Sequence, residues 1–270
     1  MLLAAEVGNS NTLFGLSDDS DGPAAGFRAS WRLSTERERM PDEWFAILVA
    51  LFRADGLELA DVDGMVLSSV VPSVTGWLTT MARDRLRLEP LIVSGSLDLG
   101  IRLLVDEPER VGADRLADLV AAFARYGGPT IVIDLGTATT FDVISATGDY
   151  VGGAIAAGVG TSLRALAANA AQLFAVELRL PERAIGKTTA TQLQSGIVLG
   201  HLAMLEGMVT LIRGELGLPA TTVLTGGLAP LFAGTSPLLD HTDPDLTLTG
   251  LRLIYQRVGG ASGQQRPTTV

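Results

Sequence analysis

Two short segments carry residue types at a spacing that could bind phosphate. One is Ala4-Ala5-Glu6-Val7-Gly8-Asn9-Ser10-Asn11-Thr12, running into Leu13, and the other is Val132-Ile133-Asp134-Leu135-Gly136-Thr137-Ala138-Thr139-Thr140. Each reads as a strand, a carboxylate, a glycine turn with hydroxyl or amide groups, and a second strand. Glycine lets a ligand approach the backbone, Asn, Ser and Thr offer hydrogen bonds to phosphate oxygens, and the carboxylate can hold magnesium directly or through water. A plain hairpin turn would use the same Gly and Asn. Two copies about half a chain apart point to nucleotide binding.

Further along, Val111-Gly112-Ala113-Asp114-Arg115 leads into a helix whose apolar face is Leu116, Leu119, Val120 and Phe123. Asp114 therefore falls at a helix start, as a general base or as a helix cap. A third glycine signal, Thr225-Gly226-Gly227, lies between a strand and a helix and suits a flat base or ribose against the backbone. Gly186-Lys187-Thr188 is not a P-loop, since Pro181 stands where the earlier glycine is required. No Gly-x-Ser-x-Gly elbow occurs, so serine hydrolysis lacks its local signature.

The elements that must hold these residues follow from periodicity. Leu2–Val7 and Thr12–Leu16 read as a hairpin, with a third strand over Phe27–Leu33. Trp44, Ile47, Leu48 and Leu51 share a helical face within 42–54, which Gly56 ends. A buried strand over 64–71 precedes a helix with Pro72 in its first turn and a short strand at 91–93. The order then restarts with strands at 130–135, 140–145 and 150–155, a long helix over 188–216 and a strand at 221–224. Such repetition predicts two related α/β domains. In the long helix, Gly196, Gly200 and Gly207 would admit a neighbouring helix, from this chain or from a second copy.

Composition narrows the function. The net charge of −10 argues against a nucleic-acid surface. The absence of cysteine excludes disulfides, thiolate zinc sites and a cysteine nucleophile. His201 and His241, the two histidines, read as structural or surface residues. No secretory leader precedes the first strand, and the apolar stretch 197–212 reads as too short to span a bilayer, so a soluble cytoplasmic protein is expected.

Taken together, the order carboxylate-Gly hairpin, second carboxylate-Gly hairpin, Thr-Gly-Gly resembles the actin-like ATPase and sugar-kinase superfamily. Within it the chain is similar to the type III pantothenate kinases. The matching pieces are Glu6 to Gly15, Ser68-Ser69-Val70-Val71-Pro72, Gly112 to Arg115, Asp134 to Thr140, Gly152 to Ile155, Gly186 to Thr189, Gln194-Ser195-Gly196 and Leu246 to Arg252. They span nearly the whole chain up to Val258.

The resemblance implies a duplicated ribonuclease H-like fold, with mixed five-stranded sheets flanked by helices and an ATP cleft between domains 1–113 and 114–258; 259–270 reads as a disordered tail. It implies ATP-dependent phosphorylation of pantothenate to 4'-phosphopantothenate, the first step of coenzyme A biosynthesis, by a homodimer. ATP would touch Glu6, Val7, Gly8, Asn9, Ser10, Asn11, Thr12, Leu13 and Thr137. Pantothenate would touch Gly112, Ala113, Asp114, Arg115, Thr189 and Val105. Asp114 matches the catalytic base, Asp134 a ligand of a monovalent cation, K+ or NH4+, and Glu6 a Mg2+ ligand, directly or through water. Departures from the family pattern are Glu6 for Asp, Ser10 for Thr, Val105 for Tyr, Asp118 for Asn, Ala157 for Pro and Thr188 for Asn. The alternatives are a catalytically impaired member acting as a regulatory accessory protein, or a different small-molecule kinase or a phosphatase of the superfamily.

Overall fold

The computed structural model describes residues 1–18, 25–170 and 172–261. They form two units: Met1–Arg125 with the segment from Asp245 onward, and Tyr126–Pro244.

The first unit is built on a five-stranded sheet of order β3-β2-β1-β4-β5. Its strands are β1 (Leu2–Val7), β2 (Asn11–Ser17), β3 (Ala29–Ser34), β4 (Gly64–Ser69) and β5 (Leu91–Ile92). β1 to β3 form an antiparallel meander, and β4 and β5 run parallel to β1. Both faces of β1 are buried. Leu3, Ala5 and Val7 pack with Trp44, Leu48 and Phe52 of α1 (Pro41–Ala54) and with Val74 and Leu78 of α2 (Pro72–Met81). Leu2 and Ala4 pack on the opposite face with Leu116, Ala117 and Val120 of α3 (Ala113–Tyr126). The two-residue alternation of a strand accounts for this division.

The second unit repeats the pattern. Its sheet has order β10-β9-β6-β7-β8, which read from β8 is the same sequence of pairings. The strands are β6 (Thr130–Leu135), β7 (Ala138–Ile144), β8 (Tyr150–Ala157), β9 (Thr221–Thr225) and β10 (His241–Thr242). The correspondence is close: β1 and β6 are each six residues long, with the carboxylate fifth and the same order of buried and half-buried positions.

After β8 come α4 (Val159–Asn169), α5 (Thr189–Gln194), a π-helical turn at Ser195–Leu199, α6 (Gly200–Leu216) and the short α7 (Ala229–Phe232). Because the π-turn widens the helix without breaking it, 189–216 is one helix of 28 residues. This corrects the expectation drawn from 197–212: by length and composition the helix could cross a membrane, and only 22% of its most apolar window is buried inside the chain. Among its buried side chains, Val198, Leu205 and Val209 pack against Ile131, Ile133 and Phe141 of the sheet. Beta-carbons built at Gly196, Gly200 and Gly207 would meet open space, so no helix among the described residues rests on those glycines.

The last helix, α8 (Leu246–Ala261), leaves the second unit and completes the first. Leu248, Leu251 and Ile254 join Leu2, Val66 and Leu116 in the core under α3. The division thus falls at 125/126 rather than at the expected 113/114, and the first unit takes back α8 from the expected 114–258. The reason is burial: the apolar faces of α3 and α8 cover the β1–β4 face. Residues 259–261 continue α8 rather than a tail, and 262–270 lie outside the described residues.

Candidate functional site

The first hairpin is tightly tied. The Gly8 N–H donates to the Asn11 carbonyl at 2.9 Å. The Thr35 hydroxyl donates to the Gly8 carbonyl at 2.8 Å and lies 2.9 Å from the hydroxyl of buried Thr12. Asn9, Ser10 and Asn11 are exposed at the tip, whereas Glu6, Gly8 and Leu13 are half-buried and Val7 is buried. A side chain at 8 would crowd the Asn11 carbonyl and the Glu6 carboxylate, so glycine keeps that carboxylate against an open backbone. By strand alternation Glu6 shares the sheet face of Leu2 and Ala4, the face that α3 covers.

Gly112 to Arg115 form the start of α3. The Leu116 N–H donates to the Gly112 carbonyl at 3.0 Å, which makes Gly112 the capping position and Asp114 the second helical residue. Asp114 is half-buried, and its carboxylate accepts the Arg115 backbone N–H at 2.8 Å. That bond satisfies one of the free donors of the helix start, and the helix dipole favours the charged carboxylate there. A beta-carbon at 112 would collide with the Asp114 carboxylate, so glycine is required for the acid to hold this position. Val105, also in the first unit, is half-buried in the irregular segment ahead of α3.

In the second unit, half-buried Asp134 is the fifth residue of β6, paired with Thr140 of β7 and Thr225 of β9. The Gly136 N–H donates to the Ala138 carbonyl at 3.0 Å, closing a turn one residue shorter than that of the first hairpin. Thr137 is exposed at the tip, and its carbonyl accepts from the Thr161 hydroxyl at 2.7 Å and the Gly158 N–H at 3.2 Å. Gly226, with φ +87°, turns its backbone directly onto the Asp134 carboxylate, leaving no room for a side chain. The structure therefore brings the Thr-Gly-Gly turn and the second hairpin together. Thr189, the first residue of α5, is exposed on the wall of an apolar hollow of about 390 Å3 with Leu166, Leu173 and Ile197.

Two contributors escaped the sequence reading: Thr35 follows β3 without any motif, and Gly158 fits tightly against the Gly136 and Thr137 carbonyls. His201, read as structural or surface, is buried and lies 3.0 Å from the Thr139 hydroxyl. Burial lowers the His201 pKa from its ordinary value. Only Gly158 offered a signal, as a glycine directly after a strand.

Residues 2–211 match the sequence profile of the type III pantothenate kinases. A type III pantothenate kinase of Thermomicrobium roseum is 46% identical over 97% of this chain and 100% of that protein. The chain belongs to the type III pantothenate kinase family. Solved structures agree on the fold: a protein described as a Baf family transcriptional activator from Campylobacter jejuni superposes with TM-score 0.61 at 16% identity, over 96% of this chain and 99% of that one. Another, described as a 2-dehydro-3-deoxygalactonokinase from Sinorhizobium meliloti, gives 0.56 at 14% identity over the full length of both chains. The fold is thus the duplicated ribonuclease H-like architecture of the actin-like ATPases and sugar kinases, with a mixed five-stranded sheet flanked by helices in each unit.

For a pantothenate kinase of this family the donor atoms can be tested against the ions it would use. Among the described residues no three His, Cys, Asp or Glu side chains converge. The Asp134 carboxylate, beside Thr140 and Thr225, is the donor type that suits a singly charged hard cation. The Glu6 carboxylate suits Mg2+, which keeps several waters and takes oxygens from phosphates.

Proposed function

We propose that this protein transfers the γ-phosphoryl group of ATP to the primary hydroxyl of pantothenate, giving 4'-phosphopantothenate for coenzyme A synthesis. Membership of the family over nearly the whole chain carries this reading. The backbone around Glu6 to Leu13, with Thr137, holds the phosphates of ATP. Pantothenate lies against Gly112, Ala113, Asp114, Arg115 and Val105, and Thr189 is a further candidate contact. Its carboxylate pairs with Arg115, whose guanidinium suits a planar anion.

Asp114 orients the hydroxyl of pantothenate and accepts its proton as the new O–P bond forms and the bond from the γ-phosphorus to the ADP oxygen breaks. An alcohol is far less acidic than a carboxylic acid, so proton transfer comes late and an ordinary carboxylate suffices. Mg2+, held by Glu6 directly or through water, and K+ or NH4+, held by Asp134, neutralise phosphate charge when bound.

The protein acts as a cytoplasmic homodimer, and the largely uncovered helix 189–216 supplies the apolar face for the second copy. Detergent-free purification as a dimer in a sizing column with light scattering supports this; recovery only with membranes or detergent overturns it. The activity test is purified protein with Mg-ATP, pantothenate and potassium, followed by mass spectrometry for phosphopantothenate. Absence of product with either potassium or ammonium overturns the kinase reading.

A further inference from the structure

We propose that the first turn of α8 positions the catalytic carboxylate, with Thr247, Thr249 and Gly250 locking α3 so that Asp114 meets the substrate hydroxyl. The inference rests on the reading of Asp114 as the base.

Asp118 stands one helical turn beyond Asp114 and on the same side of α3, since residues four apart stack along a helix. It is 2% exposed, and the Thr247 hydroxyl donates to its carboxylate at 2.7 Å across 129 residues of sequence. Beside it Gly250 presses onto the Ala117 carbonyl so closely that a beta-carbon has no space. At the far end of the helix the Arg125 guanidinium donates to the hydroxyl of fully buried Thr249 at 2.9 Å. All three attachments on α8 come from a single turn.

These contacts do different things. Backbone contact at Gly250 sets the distance between the helices, and the two hydrogen bonds set the rotation and slide of α3. Rotation matters most. A side chain reaching about 6 Å from a helix axis moves about 2 Å when the helix turns by about 20°. A misplacement of about 1 Å in a reacting group is enough to cost about a hundredfold in rate. Hydrophobic contacts of Leu248 and Leu251 hold the helices together without fixing that angle, because they have no direction. The hydroxyl of Thr247 does have one.

The test is Thr247→Val against Thr247→Ser at saturating ATP and pantothenate, with thermal melting alongside. The expected result for Thr247→Val is a kcat about tenfold lower, with KM for both substrates within about twofold, and recovery of most of the rate by Thr247→Ser. If Thr247→Val does not fold, Thr249→Ala is read instead, with kcat expected to fall about threefold at unchanged KM. Unchanged kcat, a loss confined to KM, or no recovery with serine overturns the inference while leaving the kinase reading intact. A parent protein without phosphotransfer, or Asp114→Asn with full turnover, overturns the role of Asp114 itself and this inference with it.

Discussion

Gly226 lies directly against Asp134. The left-handed backbone of the glycine, at φ +87°, fills the space beside the carboxylate, and the Leu228 N–H that follows bonds the Leu135 carbonyl at 3.1 Å. The proposed nucleoside turn and the proposed cation ligand thus form one piece of structure within the second unit. Gly226→Ala should therefore disturb both functions together. The expected outcome is a rise of about tenfold in both KM for ATP and the potassium concentration giving half-maximal rate, with stability lowered by about 1 kcal/mol or more from backbone strain. Steady-state kinetics with a potassium titration checks this, and an effect on ATP alone would separate the two roles.

Asp114→Asn keeps an oxygen able to accept the Arg115 N–H and removes the capacity to take a proton at neutral pH. The kcat should fall by about 10² to 10⁴ with little change in either KM. Melting temperature should be held or lowered only slightly, because the helix start loses one favourable charge. Full turnover in the variant would leave Asp114 with the helix start alone.

Asp134 gives a separate reading through the monovalent ion. Exchange of potassium for sodium at constant ionic strength should lower the rate at least fivefold by the difference in ion size and hydration. Asp134→Asn should lower the rate in potassium and remove most of the difference between the two salts. Equal rates of the parent in sodium and potassium would end the cation assignment.

His201 predicts how stability depends on pH. Burial holds its pKa below the ordinary value, so the unfolded chain binds a proton more readily than the folded one. Stability from this residue is complete above about pH 6.5, the ordinary histidine value, and is lost as the pH falls below it toward the folded-state pKa. Melting temperature measured from pH 7.5 to pH 5 should decline, and the decline should be shallower in His201→Gln. An equal slope in the variant would place the acid sensitivity elsewhere.

Much of the fold was legible because both hairpins advertise themselves. Short apolar runs in Leu2–Val7 and Thr130–Leu135, each broken by a single carboxylate and followed by glycine, leave few alternatives to a buried strand and a turn. The paired sheets follow from finding that signal twice. The unit boundary was less legible, because the apolar face of α3 shows that the helix is buried without showing which sheet buries it. Its partners Leu248 and Leu251 come more than a hundred residues later. Candidate residues with reactive side chains could be read directly. Thr35 could not, since its hydroxyl acts on a backbone carbonyl and any sequence supplies those.

The return of α8 to the first unit bears on how the protein is made. A ribosome delivers β1, β4 and α3 early, yet Leu2, Val66 and Leu116 share a core with side chains of the final helix. Until residues 246–261 emerge, that oily seam stays open. The intervening unit, Tyr126–Pro244, is continuous in sequence and can fold first although it is translated second. A nascent chain stalled before Leu246 should thus be a ready client for chaperones that hold exposed apolar surface.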